Sequence, residues 1–552
     1  MRFVDTFCDD MLKCFYISFC WEELIMKMFK KAIAVILCIS IAFSLCFTGA
    51  SANDGAQTVA VKSEEDLKNL EFDVPVIHVI GLEGEFYKGL STETEDDDER
   101  IWGFQADVIV KVIFENIGAL VWNLIIKDYD AIASLLGTAA NELFGPIACD
   151  TDLKPDPDTG KKDKSDYELK EGYGYENAYK FIYDWRNDMS TIAAQLDEYI
   201  NFVMELTGSD KVALMAMSMG NSVLTTYLYE YYYTAEDYEE RNHIDSVLYI
   251  AGAMNGVNVC EDPFSGNINV DSVSLMRMLY EVFDGEGLYY LFDVLYHLGM
   301  VEPLIDFANN LTLELLDHGF NESVIDSIAT IPGFYALMGK ERYEEARDYI
   351  FDTPEKRETH AKLIEVSDYY HYSVQATNAD VIQSLLDDGI NTAIFAEYGF
   401  TMPPLTSDND RMTDGTISTY CESFGATCAE VDGTLGEGYI QAVECSCGKN
   451  HISADNQIDA STCKFPDITW FGKYMRHTCA ESYLTDWANL IIYSDEQKTV
   501  WDYEDYPQFM IATDDQTMVP LTAENAGEPA TPFEDKLFKN KVRKMISDLI
   551  GK

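Results

Sequence analysis

Ser218 is the residue of this chain whose surroundings indicate chemistry most directly. It lies at the centre of Ala216-Met217-Ser218-Met219-Gly220, between an apolar run and a helix-forming run. A serine with small residues two positions before and after it is typical of a nucleophile elbow, a strained turn from a strand into a helix that exposes the hydroxyl. The segment therefore predicts that Ser218 is a nucleophile, with Ala216 as a small departure from the usual glycine.

A serine hydroxyl needs a base, and the base needs an acid that orients it. In chains with such an elbow the acid follows the serine and the histidine follows the acid. Of the eight histidines, this order leaves His451 and His477. We favour His477 because it follows a strand-like run and precedes a helix-like run, whereas His451 lies in a cysteine-rich stretch. The choice between them stays open here.

Asp414 is the preferred acid. It lies in Thr-Asp-Gly-Thr-Ile, shortly after the strand-like run NTAIFAEYGF, so it is expected on a loop at the carboxyl end of a strand. Asp410 is a nearby alternative. A further pair, Asp514 and Asp515, has no histidine after it and fits the order poorly.

Attack on an ester carbonyl also needs N–H donors for the developing oxyanion. One is supplied by the residue after the nucleophile and one by the loop after an early strand. Met219 occupies the first position, and we choose Leu82, in the loop Gly81-Leu82-Glu83-Gly84, for the second.

The elements that must position these residues read as a parallel sheet with helices between its strands. Besides the strand before Ser218, four nearly continuous apolar runs have the character of strands buried on both faces: 73–81, 245–254, 391–400 and 467–475. The alternation of strands and helices predicts an α/β fold with a mostly parallel central sheet. The largely helical pattern between 256 and 390 predicts a helical cap inserted into it.

The resulting organisation has four parts. An N-terminal extension with a signal peptide covers 1–52, and the first part of the core covers 53–255. The cap covers 256–390, and the second part of the core covers 391–552, with a cysteine-rich excursion at 421–479. The positive Met26–Lys31 segment, the apolar run after it and Ala50-Ser51-Ala52 predict export with cleavage after Ala52. We expect a secreted or extracellular protein.

Composition excludes one class of partner. The 552 residues carry a formal net charge of −57, and the sequence pI is about 4.2. Phosphate binding needs the opposite sign of field, so no nucleic-acid partner is expected. Eight cysteines follow the expected cleavage site, six of them between 421 and 479. In an exported chain this favours local disulfides. Cys445-Ser446-Cys447 is not a C-x-x-C pair, so we expect neither a metal nor a cofactor.

Several motifs together resemble the lecithin:cholesterol acyltransferase and phospholipid:diacylglycerol acyltransferase family of α/β-hydrolases. The matching segments, spread over roughly residues 73–480, are PVIHVIGLEG at 75–84, YDWRND at 183–188, AMSMGNSV at 216–223, LYIAGAMNGV at 248–257 and TDGTI at 413–417. Tyr183-Asp184-Trp185-Arg186 is the most distinctive of these segments. The chain departs from the family at Ala216, at Met217 and in the long interval between Asp414 and His477.

The resemblance implies an α/β-hydrolase fold and acyl transfer through a serine ester, with Ser218 as nucleophile, Asp414 as acid and His477 as base. The substrate would be a lipid-type ester, met by transient contact with a membrane or lipid interface, and the acceptor would be water or an alcohol. Two other functions remain open, a carboxylesterase acting on soluble esters and a binding protein that keeps the fold without catalysis.

Overall fold

A computed structural model gives the fold. It describes residues 74–526 except 83, 90–98, 103–117, 120–121, 125, 168–177, 239–241, 283–294, 297–298, 300, 318–327, 403–405, 407–410, 432, 446, 478–479 and 514–516. The predicted signal peptide, Asp410, the pair Asp514 and Asp515, and Cys479 therefore lie outside the described residues.

The described part of the chain is built around an eight-stranded sheet. In chain order its strands are β1 Val76–Val79, β2 Ala178–Phe181, β3 Val212–Ser218, β4 Ile244–Gly252, β5 Asn391–Tyr398, β6 Thr469–Lys473, β7 Phe509–Ala512 and β8 Met518–Pro520. Across the sheet they run in the order β8-β7-β6-β5-β4-β3-β1-β2. Every neighbouring pair is parallel except β7 and β8, which are antiparallel.

This sheet confirms the predicted α/β class with a mostly parallel sheet. All residues of β1 and β5 are buried, as expected for strands covered on both faces. The five predicted strand segments are β1, β3, β4, β5 and β6, with bounds shorter by a few residues at some ends. Strands β2, β7 and β8 were not predicted.

Helices lie between the strands and fill most of the insertion between β4 and β5. The α-helices of the described residues are Tyr129–Phe144, Met189–Thr207, Gly220–Leu228, Asn258–Phe264, Ser272–Val282, Glu302–Asp317, Pro332–Tyr335, Lys340–Ile350, Pro354–Thr359, Ala361–Tyr369, Asn378–Asp387, Thr419–Glu422 and Ala480–Ile492. Among these described helices none is both long and apolar enough to cross a bilayer.

Three small antiparallel sheets flank the central one. They pair Phe86–Lys88 with Glu99–Trp102 and Thr159–Lys161, Phe400–Thr401 with Met412–Thr413, and Thr427–Cys428 with Ile458–Asp459. The second places the loop after β5 next to the turn that contains Asp414. The third belongs to the cysteine-rich excursion.

The helix before the nucleophile strand shows how local sequence sets element ends. Met189–Thr207 begins after Asp188, whose carboxylate accepts a hydrogen bond from the Thr191 N–H, and it ends at Gly208 in the left-handed conformation with φ 72°. Its buried face packs into the largest hydrophobic core, which also includes most of the sheet. The chain then enters β3, which leads directly to Ser218.

Candidate active site

Ser218 is the last residue of β3 and has φ 54°, in the left-handed region. This conformation is uncommon for a residue with a side chain and carries a strain of about 1–3 kcal/mol, so neighbouring contacts must hold it. The buried amide of Asn221 donates to the Ser218 carbonyl at 3.1 Å and to the Ile250 carbonyl at 2.9 Å. These bonds tie the turn to β4, and the hydroxyl is directed out of the carboxyl end of the sheet.

Two close approaches explain the small residues around the elbow. A Cβ at Gly220 would lie 2.2 Å from the Val79 carbonyl oxygen, so the helix Gly220–Leu228 can start here only without a side chain. A Cβ at Gly81 would lie 2.8 Å from the Ser218 Cβ. The loop after β1 therefore passes directly beside the serine.

His477 lies in the loop after β6, and its Nε2 is 2.7 Å from the Ser218 hydroxyl oxygen. The side chain of His477 is almost fully buried, and its backbone N–H donates to the Asp414 carbonyl at 3.2 Å. The distance from Nε2 to Oγ is within the range at which a base can take the serine proton.

Asp414 completes this chain of hydrogen bonds. Its Oδ2 is 2.5 Å from His477 Nδ1, and its Oδ1 accepts from the backbone N–H groups of Thr416 and Ile417, both at 2.7 Å. The carboxylate is 1% exposed, so these bonds are protected from water. Because a carboxylate accepts, Nδ1 of His477 carries the proton and Nε2 is left to accept from the serine.

Two buried carboxyl groups beside Asp414 were missed by the sequence analysis. Glu397 is the penultimate residue of β5, and Glu422 ends the short helix Thr419–Glu422; both are fully buried. The Glu397 N–H donates to Glu422 Oε2 at 2.6 Å. Burial raises the pKa of Glu422 well above its ordinary value, and the charges of Asp414 and Glu397 raise it further. A neutral Glu422 can donate a hydrogen bond to the Asp414 carboxylate and so support the acid.

The two predicted oxyanion donors come from two segments, the elbow itself and the loop after β1. Met219 follows Ser218 directly at the start of the helix Gly220–Leu228, where backbone N–H groups are not used within the helix. Leu82 follows Gly81, whose close approach to Ser218 is described above, and its side chain packs against the core. Their role as donors stays a prediction.

The Tyr183–Arg186 segment packs beside the elbow and contacts the loop after β1. The Tyr183 hydroxyl donates to the Ile80 carbonyl at 2.9 Å, just before the glycine loop. Arg186 is fully buried and forms a two-pronged ion pair with Asp184, with Nε to Oδ1 at 2.9 Å and an η-nitrogen to Oδ2 at 2.6 Å. Trp185 is also fully buried. These contacts are structural and hold the loop after β1 in place.

The helical insertion contacts this same region. A Cβ at Gly333, in the helix Pro332–Tyr335, would lie 1.9 Å from the Trp185 carbonyl oxygen and 3.0 Å from the Met219 methyl group. The Ser222 hydroxyl donates to the Ala336 carbonyl at 3.4 Å. Residues of the insertion therefore pack directly on the elbow.

His451, the alternative base, lies elsewhere. Its Nδ1 hydrogen-bonds to Gln508 and its Nε2 faces Cys447, so both ring nitrogens are engaged by residues other than Ser218. The structure thus brings together Ser218, Asp414 and His477, and it holds His451 in the cysteine-rich excursion.

The cysteines differ from the sequence-based expectation of local disulfides. All seven that the structure describes are free thiols: Cys149, Cys260, Cys421, Cys428, Cys445, Cys447 and Cys463. Cys149, Cys421 and Cys463 are buried, and Cys260 and Cys428 are partly buried against apolar side chains. Burial raises the pKa of Cys149 to about 12 and that of Cys421 to about 11. Such thiols behave as small apolar side chains that fill the core. Cys445 and Cys447 are the exception and are considered below.

Comparison of the chain with models of known protein families gives no match, and neither does comparison with curated proteins.

Proposed function

We propose that this chain is a serine-dependent acyl hydrolase or O-acyltransferase of the α/β-hydrolase type. The observation that carries the proposal is the hydrogen-bonded series from Ser218 through His477 to Asp414, built on a serine with positive φ. Ser218 ends β3, Asp414 follows β5 and His477 follows β6. These strands belong to the parallel run β6-β5-β4-β3, so the three residues meet at the carboxyl edge of one sheet. That placement is the one in which acyl-transfer sites of this type are assembled.

Each group then has one role in the reaction. His477 Nε2 takes the Ser218 proton while Oγ bonds to the acyl carbon, and the N–H groups of Met219 and Leu82 stabilise the oxyanion. Collapse of the tetrahedral intermediate breaks the bond to the leaving alcohol, which receives the proton from His477. Water or a second alcohol then attacks the acyl-serine with His477 as base, and Ser218 is restored. Asp414 holds the imidazole in the tautomer that both steps need.

For the substrate we propose a lipid-type ester. The support is the sequence resemblance to lipid acyltransferases, together with the insertion that packs on the elbow through Gly333 and Ala336. We further propose that the protein is secreted and meets its substrate at a lipid interface. A carboxylesterase acting on soluble esters is the alternative, and comparing rates above and below the micellar concentration of one substrate separates the two.

Labelling with a fluorophosphonate tests the proposed function directly. Wild-type protein should form a stable adduct on Ser218, located by mass spectrometry of the tryptic peptide. Ser218→Ala should abolish labelling, and His477→Ala should slow it strongly, because the hydroxyl then lacks its base. His360→Ala is the matched histidine control, because His360 is a partly buried histidine of the helical insertion, and this variant should label at a rate close to wild type. A folded wild-type protein that resists the reagent under conditions that label a control lipase fully would favour the non-catalytic binding protein instead.

A further inference from the structure

A second group of chemically capable side chains lies in the cysteine-rich excursion, away from Ser218. It consists of Cys445, Cys447, His451 and Asp467, here called the Cys-His-Asp cluster. One potential ligand atom from each residue lies within 4.8 Å of every other. His451 is fully buried and the other three are partly buried. The mechanism proposed above uses none of them.

The separations between these atoms approach those of a tetrahedral metal site. Cys447 Sγ is 3.2 Å from His451 Nε2, which is 3.8 Å from Asp467 Oδ1, and Cys445 Sγ is 3.9 Å from the same oxygen. Tetrahedral zinc with sulfur, nitrogen and oxygen ligands has ligand atoms roughly 3.3–3.8 Å apart. The two sulfurs, at 2.7 Å, are closer than that, and a small rotation of one cysteine side chain would separate them.

The imidazole of His451 is already oriented for a metal by its partner. The amide nitrogen of Gln508 donates to the carbonyls of Pro466 and Thr469 at 2.7 and 3.1 Å, which fixes the amide so that Oε1 faces His451 Nδ1 at 2.7 Å. Nδ1 must therefore carry the proton, and the lone pair of Nε2 is directed into the cluster. Metal-bound histidines usually have such a hydrogen bond on the other ring nitrogen.

The remaining ligands are also supported from outside the cluster. The Trp501 indole N–H donates to Asp467 Oδ1 at 3.1 Å. Backbone N–H groups of Cys447 and Lys449 donate to the sulfurs of Cys445 and Cys447 at 3.4 and 3.3 Å. These N–H groups hold the two sulfurs in place from outside the cluster, as outer hydrogen-bond partners do for metal ligands.

We propose that the Cys-His-Asp cluster is a structural zinc site. Two thiolates and an imidazole select zinc over the hard cations, which prefer oxygen, and four protein ligands leave no open position for catalysis. Cys445, Cys447 and His451 lie in a segment without long regular elements, whereas Asp467 lies two residues before β6 and Gln508 directly precedes β7. The metal therefore fastens the 445–451 segment to the amino end of β6, the end opposite His477. This proposal does not depend on the acyl-transfer function.

Metal content of the purified chain tests the site. Protein prepared without chelator should contain one zinc ion per chain, and cobalt in place of zinc should give thiolate-to-metal charge-transfer absorption. The double variant Cys445→Ser/Cys447→Ser should lose both the zinc and the absorption. Cys428→Ser is the matched control: it removes a partly buried thiol of the same excursion outside the cluster and should keep the full zinc content.

A milder variant keeps the test decisive if the double variant does not fold. Asp467→Asn should retain the circular dichroism spectrum of the wild type. It should release its zinc to a chromophoric chelator at chelator concentrations at least about tenfold lower than those that the wild type requires. Zinc affinity equal to that of wild type in this variant would overturn the assignment of Asp467. Folded wild-type protein without zinc after dialysis against it, or a disulfide joining Cys445 and Cys447 in the mass spectrum, would overturn the site as a whole.

Discussion

Replacing Asp414 by asparagine isolates its role in setting the histidine tautomer. Asp414 Oδ1 accepts from two backbone N–H groups at 2.7 Å, and Oδ2 faces His477 Nδ1 at 2.5 Å. In Asp414→Asn the single amide oxygen must stay with the two backbone donors. The amide nitrogen then faces His477 Nδ1, which can only accept from it.

The tautomer of the His477 imidazole determines whether it can take the serine proton. When Nδ1 accepts, the proton moves to Nε2, which faces the Ser218 oxygen at 2.7 Å and can no longer take its proton. A loss of this kind is worth about ten-thousand-fold in kcat in serine hydrolases, or about 5 kcal/mol of transition-state stabilisation. We expect kcat for a soluble chromogenic ester to fall by that order, with KM nearly unchanged and the thermal unfolding midpoint close to wild type.

Glu422→Gln is the matched control. Burial and the charge of Asp414 raise the pKa of Glu422, and glutamine keeps a neutral donor in the same place. Its kcat should stay within about threefold of wild type, since one neutral hydrogen bond is largely preserved. If Asp414→Asn retained more than a tenth of wild-type kcat while Glu422→Gln behaved normally, the tautomer argument would be wrong.

Three further predictions test the surroundings of the site and the fold. In Gly81→Ala the new methyl group would lie 2.8 Å from the Ser218 Cβ, so fluorophosphonate labelling should slow at least about tenfold. Because neighbouring atoms must shift, the free energy of unfolding should also fall, by about 1–3 kcal/mol. Burial raises the pKa of Glu261 from 4.5 to about 7, so ionising this group costs stability in the folded protein, and the wild type loses stability as the pH rises from 4.5 to 7. Glu261→Gln does not ionise. In urea unfolding it should be more stable than wild type by about 3 kcal/mol at about pH 8 and equal to wild type at about pH 4. Arg186→Lys loses the two-pronged pairing with Asp184 and should lower the free energy of unfolding by about 2 kcal/mol, whereas equal stability would show that a point charge suffices.

Much of the sheet could be predicted because its central strands are buried on both faces. Such strands are continuous apolar runs, and β1, β3, β4, β5 and β6 all have this form. The missed strands are short. Two lie at the edges, β2, which reads AYKF with a lysine, and β8, which reads MVP, and the third, β7, reads FMIA and lies next to β8. Proline in a strand argues against a central position and is accepted only at an edge or a strand end. Their pairing depends on neighbours that local sequence does not show.

The same limit applies to the site. The order of Ser218, Asp414 and His477 along the chain could be predicted because the elbow restricts where each group must follow. Glu422 and Glu397 could not, since nothing in the short segment around either glutamate indicates that both are buried beside Asp414. Likewise the C-x-C spacing favoured the absence of a metal, and the proposed zinc site depends on Asp467, which only the fold brings near Cys445 and Cys447.

The strand order also constrains when the site can form during synthesis. Strands β4 and β5 are neighbours, with Ser246 opposite Asn391, although the whole helical insertion separates them along the chain. Contacts between residues so far apart in sequence are entropically costly to close and slow folding. Since chains fold and emerge from the amino end first, the half that carries Ser218 is completed while Asp414 and His477 have yet to be made. The nascent protein should therefore be chemically inert, and esterase activity should appear only after the last third of the chain has docked.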